Sequence, residues 1–425
     1  MLQVLPVVLA LTAGQSLPPW MTGQTQPADL SITLVTFSPG DSLVEWWGHT
    51  SFVVEDRRLN HARLYNFGMF GPKEGDTVGF VKDFAKGRLI FWVADDSAQG
   101  TFSFYKNQLK RDVRLQELDL EPDEAMAVAK SLGTNVLPEN RMYRYHHYND
   151  NCSTRPRDII DAAIGGQLKA ATSGTSRMTL RQHTLRYSMV NPPMSLVLDY
   201  LQADSLDKPI TGLQDAYLPD ELEAQLQALQ VKRADGTTRP LVKTQRNWFK
   251  SDRTPPPATA PNWILYELLV GLFLAGIAHG LGHWGRDGKK LPRVLLGLYT
   301  SLIGLVLGIL GLALGFLMTA TDHDVTFGNE NIFQANPLTF ALFPLGLMLM
   351  WGAKRAVKWN RAVWTVLAAI SVLGVLIKVL PSADQANGNI LAILVPLNVG
   401  FAALWWLEAR HKAAKPVSVP LAKAA

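Results

Sequence analysis

The sequence predicts an α+β domain of short strands followed by helices, and behind it an all-α membrane domain of five spans. Three observations lead there: brief strand-like runs between residues 29 and 120, five apolar stretches after a proline-rich linker, and a single cysteine, Cys152, in a polar segment between them. At 425 residues there is room for two or three domains, and the 48% hydrophobic content is concentrated beyond residue 262. The net charge of +5 belongs largely to short loops between apolar stretches, so a nucleic-acid partner is not implied.

Residues 1–15 carry an apolar run of signal-peptide length, followed by the small residues Thr12, Ala13 and Gly14, but no basic start. Residues 1–20 are therefore expected to be a signal peptide or a short N-terminal anchor, and 28–250 an extracytoplasmic domain. Within it, 31–37, 50–54, 64–67, 89–93 and 113–118 read as strands bounded by turn residues. Residues 121–132 read as a helix from their apolar spacing and acidic first turn, 159–164 as the helical continuation of the cysteine segment, and 220–229 as an amphipathic helix.

A lone thiol excludes an internal disulfide and leaves three roles: buried filler, metal ligand or nucleophile. Asn149, Asn151, Ser153, Thr154, Arg155 and Arg157 surround Cys152, and a helix start follows it, which favours the nucleophile. At a free pKa of about 8.5 little thiolate exists near neutrality, and a helix start with nearby arginines would raise that fraction. Pro156 disfavours helical geometry at Arg155, so the helix is expected to begin near Thr154. His49 opens the second strand, and a hairpin brings Asn66 alongside; thiol, imidazole and orienting group could be Cys152, His49 and Asn66. His61 lies on the same hairpin, and register is not fixed by sequence. The neighbours His146 and His147 point to opposite faces of an extended segment, so no metal and no cofactor is expected.

The linker at 251–262 precedes apolar stretches at 263–283, 294–318, 337–353, 362–380 and 389–407, the third near the lower limit of about 17 residues for a span. Arg286, Lys289, Lys290 and Arg293 fill the first loop, Lys354, Arg355, Lys358 and Arg361 the third, and Arg410, Lys412, Lys415 and Lys423 the tail, whereas loops 319–336 and 381–389 have no lysine or arginine. The positive-inside rule places the tail, 411–425, in the cytoplasm, the domain before the first span outside, and the membrane domain at 263–410. Trp263, Trp284, Trp351, Trp359, Trp405 and Trp406 cluster near span ends, as interfacial belts do. Glu267, His279 and Lys378 fall within or near spans, where they would snorkel or face other helices. The outer loop 321–337, dense in donors and acceptors, is expected on the same side as Cys152; a plain solvated loop would have a similar composition.

The order Trp47-Gly48-His49, Tyr65-Asn66-Phe67-Gly68, Pro138-Glu139-Asn140-Arg141 and Asn151-Cys152-Ser153-Thr154-Arg155-Pro156-Arg157-Asp158, followed by five spans with an outer Asn329-Glu330-Asn331 loop, resembles the bacterial lipoprotein N-acyltransferase Lnb family over nearly the whole chain. The resemblance implies a circularly permuted papain-like cysteine acyltransferase domain, in which histidine precedes cysteine, on a five-helix membrane domain of the bacterial inner membrane. It makes Cys152 the nucleophile, His49 base and then acid, and Asn66 the orienter, with backbone N–H groups of Cys152 and Ser153 as oxyanion donors. Arg155 and Arg157 become candidates for a lipid phosphate, with salt bridges to Asp158 or Asp161 as the alternative. Trp47 and Tyr65, in the shared motifs, and His323, Asn329 and Asn331, in the outer loop, are counted as substrate-binding. The implied partners are a membrane phospholipid or diacylglyceryl lipid, bacterial apolipoproteins and the bilayer. A lipid hydrolase or cell-wall peptidase would use the same residues with water as acceptor; a transport or sensor module would leave Cys152 structural.

Overall fold

A computed structural model of the chain describes residues 17–72, 75–286 and 288–414. The expected signal or anchor segment thus lies, over 1–16, outside the described residues, as does the tail beyond 414. The described chain divides into two compact units, residues 17–190 with 209–259 and residues 191–208 with 260–414.

The first unit is built on a seven-stranded antiparallel sheet in the order β6-β4-β3-β2-β1-β5-β9, with β1 Leu30–Phe37, β2 His49–Asp56, β3 His61–Met69, β4 Ile90–Asp96, β5 Val113–Leu118, β6 Met142–Arg144 and β9 Val242–Phe249. A separate hairpin pairs β7, Gln230–Lys232, with β8, Thr238–Pro240. Two-residue alternation sorts the side chains. Ile32, Leu34, Phe52, Val54, Tyr65 and Phe67 join one core with Val128, Leu132 and Ile160 of the helices Pro122–Asn135 and Thr154–Ala163. Val35, Phe37, Leu64, Val113 and Leu115 join a second core with Phe102. Trp20, buried in the first core, donates its indole N–H to the Tyr65 hydroxyl at 3.1 Å, so residues 17–20 are part of this fold. The five expected strands are all present, and the helix after the cysteine starts at Thr154, as the proline implies.

The second unit has five helical segments long and apolar enough to cross a membrane: Ile264–Trp284, Lys290–Ala320, Glu330–Met350, Ala356–Val379 and Gly388–His411. The third, expected to be short, is α-helical only over Leu342–Met350 and is extended by 3-10 turns at Glu330–Phe333 and Pro337–Ala341. Glycines let it lie backbone to backbone on the second: a Cβ at Gly308 would come within 2.5 Å of Phe340 Cα, and one at Gly311 within 2.5 Å of Asn336 carbonyl carbon. Trp405 departs from the interfacial expectation; it is buried beside a core in which Trp364 stacks on Phe401.

The segment 191–208, expected within the outer domain, packs instead with the membrane helices. Its helix Pro192–Leu201 ends in a web of buried side-chain amides. Asn329 and Asn331 each donate to the Tyr200 carbonyl at 3.0 Å, Gln385 donates to the Gln202 carbonyl at 2.9 Å, and the Tyr200 hydroxyl donates to the Ala335 carbonyl at 2.7 Å. Lys378 pairs with Glu330, and His279 donates to the Gly400 carbonyl at 2.8 Å, so both ionisable groups turn to protein.

Candidate active site

His49 reaches its strand through a turn that ends at Gly48, where a φ of +78° and a Cβ only 3.0 Å from the Phe37 carbonyl oxygen would strain any side chain. The β2–β3 register sets Ser51 opposite Asn66, which leaves His49 diagonal to Asn66 on the same face. His49 Nε2 lies 2.6 Å from Asn66 Oδ1. The amide is oriented by its own Nδ2, which donates to Met69 Sδ at 3.3 Å. Because the amide oxygen can only accept, Nε2 carries the proton and Nδ1 keeps its lone pair. His61 is excluded from that role: it pairs with Asp56 at the far end of the hairpin, edge-on to Trp20.

Gly68 brings thiol and imidazole together. It sits in a bulge where the β3–β4 register shifts between Phe67 and Met69, at φ +117°. A Cβ there would stand 3.4 Å from both Cys152 Cβ and His49 Cε1. Cys152 itself precedes the Thr154–Ala163 helix in a turn closed by Asn151, whose Oδ1 accepts from the N–H of Ser153 at 2.7 Å and of Thr154 at 2.9 Å. The Ser153 N–H is thereby spent. The amides that face the sulfur belong to Cys152 itself and to Thr50, one residue past the end of the β2–β3 ladder.

Burial dominates the electrostatics. It pushes the Cys152 thiol up to about 11, against the backbone N–H groups of Thr50 and Cys152 and the Arg111 charge, and it pulls His49 down to about 4 despite the Asn66 bond. The resting pair is therefore neutral thiol and neutral imidazole, not the thiolate expected from a helix start and flanking arginines. Those arginines are engaged elsewhere. Arg155 forks onto Asp150 at 2.6 and 2.9 Å, and Arg157 donates to Asp158 at 2.7 Å and to the Leu213 carbonyl at 2.9 Å. The cation that acts on the pair is Arg111, 2% exposed, donating to the Ser38 carbonyl at 2.5 Å and lying 4.9 Å over the Tyr105 ring. Tyr105 stacks on Phe37, and Phe37 on His49, at centroid separations of 3.6 and 6.0 Å. In the sequence Lys110-Arg111-Asp112 resembles a solvated charge run, and nothing there marks Arg111.

The remaining expected residues lie as follows. Tyr65 is fully buried on the sheet face opposite Asn66. Trp47 packs edge-on to the His147 ring at 4.6 Å. Asn329 and Asn331 lie in the second unit, bonded to the Tyr200 carbonyl, and His323 is half-buried there, its carbonyl accepting from Thr326 Oγ1 at 2.8 Å. Among these candidates the geometry joins Cys152, His49 and Asn66, an arrangement able to take a proton from sulfur, attack an acyl carbon and return the proton to a leaving group.

Comparison with known proteins is consistent across both units. Residues 16–187 match the Lnb N-terminal periplasmic domain, and residues 268–383 match the Lnb transmembrane domain. No curated protein and no solved structure matches the chain.

Proposed function

The chain belongs to the Lnb family, a family of lipoprotein-modifying membrane enzymes, and from that premise we propose that it is a lipoprotein N-acyltransferase working through a thioester on Cys152. The observation that carries the reading is the arrangement around Gly68: the Cys152 Cβ and the His49 ring both border the space that a side chain at this one glycine would fill, with Asn66 fixing the imidazole tautomer.

In the first half-reaction His49 Nδ1 takes the thiol proton as sulfur attacks the ester carbonyl carbon of a glycerolipid. The carbonyl π pair moves to oxygen. When that oxyanion collapses the ester C–O bond breaks, and the imidazolium protonates the glycerol oxygen. In the second, the free amino group of a lipid-modified N-terminal cysteine attacks the thioester. His49 accepts the ammonium proton and returns it to sulfur as the C–S bond breaks, leaving an amide. Both substrates carry acyl chains, and an enzyme tethered by five membrane helices would meet them in the bilayer at a raised effective concentration. The catalytic unit would face the periplasm and the C-terminus the cytoplasm.

Intact-mass analysis of the purified protein tests this. Incubation with phospholipid should add an acyl mass to Cys152, and later addition of a diacylglyceryl lipopeptide should remove it as the peptide gains the same mass. Transfer without any adduct would defeat the covalent route, and free fatty acid in place of amide would make the protein a hydrolase.

A further inference from the structure

Tyr143 lies in β6, paired with Phe91 of β4. The residue is 6% exposed, and its hydroxyl is buried without a hydrogen-bond partner among the described residues. A buried, unmet hydroxyl costs about 1–3 kcal/mol, so its retention calls for an explanation beyond packing, which phenylalanine would serve. Two observations place the hydroxyl's neighbourhood at the nucleophile. The Arg155 guanidinium, on the first turn after Cys152, lies 3.8 Å over the Tyr143 ring and is itself locked by its fork onto Asp150. Tyr143 and Cys152 also pack into the same hydrophobic core, and each lies within reach of the other's charge.

Tyr105 and Tyr145 feel the Cys152 charge too. Tyr145 has spent its hydroxyl on His147 Nδ1 at 3.2 Å. Tyr143 alone of the three combines a buried hydroxyl with no partner.

We infer that Tyr143 is an oxyanion donor, its hydroxyl hydrogen-bonding the negatively charged oxygen that forms when sulfur adds to the acyl carbonyl. This rests on the acyl-enzyme reading above. The Ser153 N–H, spent on Asn151, is unable to serve, so the phenol would join the N–H groups of Cys152 and Thr50 that face the sulfur. The arginine over the ring face favours the phenol as donor by stabilising charge drawn onto its oxygen. No proton leaves Tyr143: the oxyanion is held, then collapses, and the hydroxyl is unpaired again.

Tyr143→Phe in the full-length protein in detergent micelles separates this role from a structural one, because two reactions of the same sulfur differ in whether an oxyanion forms. Acylation by a p-nitrophenyl acyl ester passes through one, whereas alkylation by iodoacetamide displaces iodide at a saturated carbon and does not. The expected result is acylation slowed at least about tenfold with alkylation unchanged and a melting temperature equal or higher. Unchanged acylation would overturn the assignment, and so would equal falls in both rates, since Tyr143 would then act on the thiol itself. A wild-type protein that is alkylated but never acylated would instead defeat the acyl-enzyme reading, and this inference with it.

Discussion

His49 Nε2 donates to Asn66 Oδ1 across 2.6 Å, from diagonal positions of the β2–β3 ladder. The bond fixes which nitrogen carries the proton. Removing it frees the imidazole to adopt the wrong tautomer, so Asn66→Ala should lower the single-turnover acylation rate constant by about 10²-fold, within the range that positioned acid–base groups contribute. Circular dichroism should be unaltered. An acylation rate equal to wild type would show that packing against Phe37 alone orients the ring.

With burial holding His49 near 4 and Cys152 near 11, neither group titrates across neutrality in the free protein. The reactive form is the neutral pair, so kcat/KM should rise through an acid limb near pH 4, as the imidazole loses its proton, and stay flat through pH 7. Asn66→Asp should move that limb upward, because a carboxylate beside the ring favours imidazolium. A wild-type limb near the free imidazole value would mean that the ring is hydrated in solution.

Gly68→Ala is expected to damage stability and chemistry together. Its φ of +117° is a region L side chains avoid, at a cost of about 1–3 kcal/mol, and the added methyl would press on Cys152 and His49 from 3.4 Å. Gly71→Ala is the control: among the described residues its Cβ would meet only Trp92, at 4.0 Å. Thermal melts and iodoacetamide rates for the two variants should diverge, and equal behaviour would remove the case for Gly68 as the spacer between sulfur and imidazole.

Arg111→Met removes the one buried cation that acts on the thiol. Since that charge lowers the Cys152 pKa, its loss should raise the pKa further and slow alkylation at pH 8. Arg111→Lys keeps the charge without the guanidinium fork and should recover part of the rate. Equal alkylation by wild type and Arg111→Met would leave Arg111 the structural role of holding the Ser38 carbonyl, Glu45 and the Tyr105 ring.

What the sequence disclosed follows from where each signal resides. Strands β1 to β5 were legible because their faces are buried and the apolar residues alternate. β9 was not, because it is an edge strand whose run Lys243 to Asn247 is exposed and reads as loop. β6, three residues long with only its middle one buried, carries no period at all. The cysteine–histidine pair was legible from motif order, whereas Arg111 and Tyr143 owe their positions to packing between distant elements. The desolvation that keeps the thiol protonated is equally a property of the folded environment, and polar neighbours in sequence do not disclose it.

Asn331 decides whether the outer loop is substrate surface or scaffold. Its Nδ2 donates to the Tyr200 carbonyl at 3.0 Å, and its Oδ1 accepts from Asn387 at 2.9 Å, with no exposed surface. Asn331→Ala strands the buried Asn387 amide, at about 1–3 kcal/mol, leaves the Tyr200 carbonyl to Asn329 alone, and should loosen the Pro192–Leu201 helix from the membrane helices that hold it. Hydrogen exchange over residues 192–202 should then quicken in the intact protein in micelles. An unchanged exchange pattern with a raised KM for lipopeptide would mark Asn331 as a substrate contact instead, and would transfer the stabilising role to Asn329 and Gln385, whose bonds to Tyr200 and Gln202 the substitution leaves in place.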